Sequence, residues 1–339
     1  MSEPAISVLI TTYNYGQFIE SAIDSVLAQD FPMEKTEIVV VDDGSTDDTK
    51  ERVKKYGSRV EYFYKTNGGQ AAALNFGFSK ARGEIICLMD ADDLFLPMKL
   101  RRISEAFERE PALGLVYHQL QEWHMSTNER RGWEFVEISG DIHKQPKAFA
   151  LYVPQPTSAI SFRRSVVRGL LPVPEEIRML ADCYLVALIP FLAPVLAIPE
   201  FLTVYRIHGK NSYSIEKKEA PLEIRRSRLK MWQIVIEAMR KWLGANGYTR
   251  KQLPVRSLLD RWTTLLEREE FAVTPPGRIR FFRHLLGSYR YRLPLMTWRV
   301  RLINYFNALG SLVVGYERFH RLDEGREGIT RRVRALLNR

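Results

Sequence analysis

Four short, largely apolar runs, each followed by polar side chains, constrain the fold more than any other feature. They are residues 6–12, 37–41, 60–64 and 84–89. Residues 16–29, 46–56 and 70–81 lie between them and read as helices, with Phe18, Ala22, Val26 and Leu27 near one face of the first. Continuous rather than alternating apolar strands, separated by helices, predict a parallel sheet covered on both faces. In such a sheet the ligand crevice lies beyond the carboxyl ends of the strands. Ser45 is expected to cap the second helix, with Asp47 and Asp48 in its first turn.

Beyond residue 112 the pattern is less regular. Residues 113–117, 119–125, 195–198 and 201–207 read as strands, and 180–191 as a helix. From Pro221 the chain reads as helical, with breaks at 244–247 and 274–277. At 339 residues, two domains are expected: 1–215 and a helical, basic, aromatic-rich 216–339. With 45% hydrophobic and 27% charged residues, the chain is neither disordered nor dependent on disulfides for a core. Its two cysteines, Cys87 and Cys183, read as unpaired buried thiols in a reducing compartment.

No secretory leader is read at the N-terminus, and the longest uncharged stretch before the basic region, 183–199, holds three prolines and is short for a membrane span. A cytoplasmic protein, peripheral at most on the cytoplasmic face of a membrane, is expected. The charge is asymmetric: residues 1–215 carry a net −5 and residues 216–339 a net +15. Between Phe271 and Tyr316 there is no acid, while seven arginines and nine aromatics are interleaved. Such a segment suits an anionic membrane surface. A nucleic-acid-binding module is the weaker alternative, because the acidic N-terminal part would repel a phosphate backbone. Uncharged residues 302–316 and the helical spacing of Phe281, Phe282, Leu285, Leu286 and Tyr289 among arginines strengthen the interfacial reading.

The polar clusters carry the chemistry. Thr11-Thr12-Tyr13-Asn14 follows the first strand, Asp42-Asp43-Gly44-Ser45 the second, Asn67-Gly68-Gly69-Gln70 the third and Asp90-Ala91-Asp92-Asp93 the fourth. Neither a Gly-x-Gly-x-x-Gly after the first strand nor a Gly-Lys-Ser/Thr loop is present, so the usual phosphate cradles are missing. Three clustered carboxylates can instead hold a divalent cation that bridges a diphosphate; hard oxygen donors suit Mg2+ or Mn2+.

These motifs, in this order and spacing, resemble those of family 2 glycosyltransferases with the GT-A fold. The resemblance covers about residues 5–215. It implies a mostly parallel sheet flanked by helices and an inverting, metal-dependent, hexosyltransferase-type enzyme. The donor it implies is a nucleoside-diphosphate sugar, a UDP-sugar first, and the acceptor a saccharide or lipid-linked saccharide in cell-surface polysaccharide or glycan synthesis. It also implies that Thr11, Tyr13 and Asp43 contact the nucleotide base, that Asp42 supports their loop, and that Asn67, Gly68, Asp90 and Asp92 complete the donor site. Asp92 is the first choice of metal ligand, with Asp93 its competitor and His208 a further ligand. Leu180-Ala181-Asp182 resembles the family's catalytic acidic motif, making Asp182 the base; residues 156–164 resemble the small-residue loop under the sugar. The chain departs from the pattern in lacking a glycine at Thr157-Ser158-Ala159 and an acid before Asp182. The remaining histidines (His118, His124, His143, His284 and His320) read as structural. A sugar-1-phosphate nucleotidyltransferase is the competing enzyme class, but it needs a basic loop after the first strand, and residues 11–16 contain no basic side chain.

Overall fold

The computed structural model describes residues 4–145, 148–149, 152, 154–209, 211, 220–290, 308–309 and 316. They fall into two compact units, one within 1–216 and 231–257, the other within 217–230 and 258–339.

The first unit is built on one mixed sheet. Its strands are β1 (Ile6–Thr12), β2 (Thr36–Asp42), β3 (Glu61–Tyr64), β4 (Ile85–Asp90), β5 (Leu94–Phe95), β6 (Leu115–His124), β7 (Glu129–Trp133), β8 (Ile160–Arg163) and β9 (Val195–Ile207). The order is β3-β2-β1-β4-β8-β6-β9-β5, with β7 paired to β6. β1, β2, β3 and β4 run parallel, β6 and β9 form a second parallel pair, and β8, β5 and β7 are antiparallel to their neighbours. The helices are α1 (Gly16–Leu27), α2 (Thr49–Lys54), α3 (Gln70–Lys80), α4 (Lys99–Arg109), α5 (Arg164–Val167), α6 (Ala181–Leu188), α7 (Leu222–Ala245), α8 (Leu253–Val273) and α9 (Arg278–Arg290).

The central strands form because Val8, Ile10, Val40, Cys87 and Met89 on one face meet Ile19, Ile23, Val26, Leu100 and Ile103 from α1 and α4. On the other face α3 comes close enough to β1 that a Cβ on Gly77 would collide with the Leu9 side chain. Burying each such aliphatic side chain stabilises the fold by about 1.5–3 kcal/mol before ordering costs. Strand order reverses at β1, which has β2 on one side and β4 on the other, so the crevice opens beyond its carboxyl end.

Four readings of local structure need correction. The second helix starts at Thr49 rather than 46, and Ser45 does not cap it. Ser45 instead accepts the Asn14 N–H at 2.8 Å, while Asp47 takes the Gly16 and Thr49 N–H groups, pinning the loop after β2 to the loop after β1. The two strands expected within 113–125 are one, β6, because an irregularity at His118–Gln119 shifts the register without ending the pairing. Likewise 195–207 is a single strand despite Pro199. The helix expected over 180–191 is α6 followed by a short 3-10 turn at Ile189–Phe191.

In the second unit, α8 and α9 pack through Phe271 and Phe281, joined by the ring of Tyr316. His284 lies 2.7 Å from Glu267. No helix among the described residues is long and apolar enough to cross a membrane. Of the basic segment, residues 291–307, 310–315 and 317–339, with His320, lie outside the described residues.

Candidate active site

Strand register gathers the polar clusters. Thr12 pairs with Asp42, Thr11 with Asp90, and Asp42 with Tyr64, so β1, β2, β3 and β4 end in one row. Asp42 is fully buried and spends its two oxygens locally: Oδ1 accepts the Ser45 N–H and Oδ2 the Tyr62 hydroxyl, each at 2.7 Å. Asp43 accepts from the Gly68 N–H at 2.9 Å, the Gly69 N–H at 2.7 Å and the Lys65 ammonium at 2.7 Å. Asn67 donates to the Asp43 carbonyl at 2.9 Å. Asp43 therefore ties the loop after β3 to the loop after β2. Tyr13, 48% exposed, stands at the rim, where its ring is open to a stacking partner.

Asp90, Asp92 and Asp93 each offer an oxygen within 4.8 Å of the others. Asp92 Oδ2 receives the Asn211 amide at 3.1 Å and lies 3.0 Å from His208 Nε2. Asp93 Oδ1 accepts the Arg206 N–H at 3.1 Å, while its Oδ2 is buried with no hydrogen-bond partner among the described residues. Burial first, then the neighbouring carboxylates, push the Asp90 and Asp93 carboxyls well above the aspartate range. Three closely packed carboxylates keep one buried oxygen without a partner among the described residues, and the donor set is all hard oxygen with an imidazole alongside. These residues fit a divalent cation of the Mg2+ or Mn2+ type.

Asp182 faces this cluster from the first turn of α6. Its Oδ2 accepts the Thr157 hydroxyl at 3.0 Å and its Oδ1 the Cys183 N–H at 2.8 Å. Burial raises its carboxyl above the usual range despite these hydrogen bonds. The Thr157 hydroxyl also neighbours Asp90, and Ser158 Oγ accepts the Asp90 N–H at 2.9 Å. The loop at 157–159 thus joins the acidic cluster to Asp182. Cys183 is buried and its thiol pushed well up by burial, as expected of an unreactive core cysteine.

The structure brings Thr11, Asp42, Asp43, Asn67, Gly68, Asp90, Asp92, Asp93, His208 and Asp182 to one side of the sheet's carboxyl edge. It also assembles residues that sequence reasoning passed over. Arg206 is buried; its guanidinium donates to the Asp92 carbonyl and to Ser21 Oγ and lies 4.8 Å over the Phe18 ring. Tyr15 hydrogen-bonds Asp92, and its hydroxyl is pushed far up by burial and then by the acids. Fully buried Lys99 donates to the Ser158 carbonyl at 2.7 Å and to Thr203 at 3.2 Å, and burial lowers its pKa to about 7.

Residues 7–170 match the sequence profile described as Glycosyl transferase family 2. Residues 7–170 belong to glycosyl transferase family 2. The chain is 34% identical over 218 residues to an uncharacterized glycosyltransferase of Nostoc sp., covering 61% of this chain and 66% of that protein. The chain thus spans just under two thirds of that relative, and 30% and 59% of two others. Among solved structures, mannosyltransferase PcManGT from Pyrobaculum calidifontis, in complex with GDP-Man and Mn2+, aligns with a TM-score of 0.57 at 18% identity. That alignment covers 95% of this chain and 84% of the other. S. aureus TarS 1-349 in complex with UDP-GlcNAc aligns with a TM-score of 0.54 at 20% identity over 90% of each chain. The fold is that of GT-A glycosyltransferases.

Proposed function

We propose that the chain is an inverting glycosyltransferase that moves a sugar from a nucleoside-diphosphate sugar to an acceptor hydroxyl. The observation that carries this reading is the buried Asp182 carboxylate placed across from the Asp90–Asp92–Asp93 cluster, with the Thr157 hydroxyl neighbouring both sides. Thr11, Tyr13 and Asp43, with Asn67 and Gly68, line the end that receives the base; Asp42 braces it. Asp92 and Asp93, with Asp90 and His208, would hold the divalent cation, which when bound offsets the charge that builds on the diphosphate as the C1–O bond breaks. Asp182 takes the proton from the acceptor hydroxyl as that oxygen attacks C1. Direct displacement inverts C1 and needs no protein nucleophile. Complexes of structural neighbours with UDP-GlcNAc and with GDP-Man and Mn2+ support a donor of this class, with UDP-sugars tried first.

For the acceptor we favour a saccharide or lipid-linked saccharide of cell-surface glycan synthesis, met on the cytoplasmic face of a membrane by the basic 216–339 region. The experiment that tests the donor assignment is a mass-spectrometric screen of nucleotide sugars with the full chain and Mn2+. At least one should raise the melting temperature and undergo slow hydrolysis to the nucleoside diphosphate; stabilisation by none of them would overturn the reading.

A further inference from the structure

We infer that Gln70 is a positioning residue for Asp182, acting through Thr157 and through the start of α6. The inference rests on the proposed role of Asp182 as the base.

The start of α6 has a defect that Gln70 repairs. Leu180 occupies the capping position in a left-handed conformation, φ 72°, and offers no side-chain acceptor. The first amide of α6 would be an unsatisfied buried donor. Gln70, from the first turn of α3, supplies the missing acceptor: its Oε1 takes the Ala181 N–H at 2.9 Å. The exchange is reciprocal, because the Gln70 N–H donates to the Arg178 carbonyl at 2.9 Å and the Ala71 N–H to the Ile177 carbonyl at 3.3 Å. Two helix starts therefore satisfy each other across sequence separations of more than a hundred residues.

This arrangement fixes a proton. A backbone N–H only donates, so the amide oxygen of Gln70 must face Ala181 and its nitrogen must face the other way. That nitrogen, Nε2, lies 3.3 Å from Thr157 Oγ1. Thr157 therefore accepts from Gln70, and its hydroxyl proton is left for the carboxylates it faces, Asp182 at 3.0 Å and the neighbouring Asp90. One carboxamide sets both the position of the helix that carries Asp182 and the direction of the hydroxyl that steadies its Oδ2.

Gln70 follows Gly69, whose N–H is held by Asp43 and whose backbone, at φ +88°, lies so close to Arg178 that a Cβ would stand 2.7 Å from the Arg178 Cα. The loop assigned to the donor and the segment that carries the base are thus a single hydrogen-bonded structure.

The test compares the full-length wild type with Gln70→Glu, Thr157→Val, Thr157→Ser and Asp182→Asn, measuring kcat, donor KM and melting temperature with whichever donor the wild type uses. Gln70→Glu keeps the acceptor for Ala181 but removes the donor to Thr157, whose proton then turns toward the new carboxylate. Gln70→Glu and Thr157→Val should lower kcat about 10- to 100-fold with donor KM within about threefold of wild type, the mark of misplacement at the reacting group. Thr157→Ser, which keeps the hydroxyl, should retain kcat within about threefold. If Asp182→Asn is inactive while Gln70→Glu and Thr157→Val turn over at the wild-type rate, the positioning role is wrong and the base assignment stands. A loss that appears in KM or melting temperature with kcat unchanged also overturns it. Near-normal turnover by Asp182→Asn overturns the base assignment and this inference with it.

Discussion

Asp182 combines its proposed role as base with a carboxyl raised by burial, and the two have opposite consequences as pH changes. A base works only when deprotonated, so the acidic limb of the kcat profile should lie above the roughly 3.9 of an ordinary aspartate. In stability the sign reverses. A raised carboxyl binds its proton more tightly in the folded state, so its contribution is present at low pH and is lost as pH rises through the folded pKa. Asp182→Asn should therefore abolish transfer while raising the melting temperature at pH 7, with little gain near pH 4; a melting temperature that falls at pH 7 would contradict the burial argument. Asp92→Ala should lose the Mn2+ dependence of nucleoside-diphosphate binding in calorimetry, and equal affinity with and without Mn2+ in both proteins would remove Asp92 as a ligand. The grouping of Asp90, Asp92 and Asp93 at the end of β4 was legible because acids close an apolar run there, whereas His208 came only from the resemblance. Arg206, Tyr15 and Lys99 were not legible, since arginine, tyrosine and lysine are ordinary surface residues until the fold buries them.

The strands that were read well are those buried on both faces. β1, β2 and β4 announce themselves through the apolar runs 8–10, 38–41 and 85–89. β7, Glu-Arg-Arg-Gly-Trp, is nearly all exposed and hides behind its charges, and short β5 and β8 offer too few residues for any period to register. Ser45 failed as a cap because Asn14, in a left-handed conformation with φ 58°, competes for its hydroxyl, a tertiary partner that local pattern does not reveal. Gly69 is the element-scale counterpart: φ +88° with ψ 177° is a region only glycine occupies at low cost, and no space remains beside Arg178. Gly69→Ala should cost about 1–3 kcal/mol in urea unfolding. It should also raise the donor KM, because the Asp43 hydrogen bond to residue 69 anchors the donor loop. A variant with wild-type stability and KM would show that the loop relaxes freely.

At the scale of the whole molecule, the uneven charge is the property that the catalytic unit does not use. A net +15 over residues 216–339 against −5 over the rest suggests that the basic part faces an anionic surface. On α9, Arg278, Ile279, Arg280 and Arg283 are exposed, and Ile279 at 65% is the most exposed large aliphatic side chain described. The full chain should co-sediment with vesicles containing anionic lipid, less so at high salt, and should leave neutral vesicles in suspension. Remaining in the supernatant with anionic vesicles at low salt would show that this part serves another purpose. The fold class was legible because it depends on a regular sheet; the proposed acceptor depends on irregular loops and on the basic region, where no period or motif fixes an arrangement. The most direct test of the central claim is the nature of the leaving product. With donor, acceptor and Mn2+ or Mg2+, the chain should release one nucleoside diphosphate for each sugar transferred, the new linkage carrying the inverted anomeric configuration. Release of pyrophosphate, or a product that retains the configuration, would contradict it.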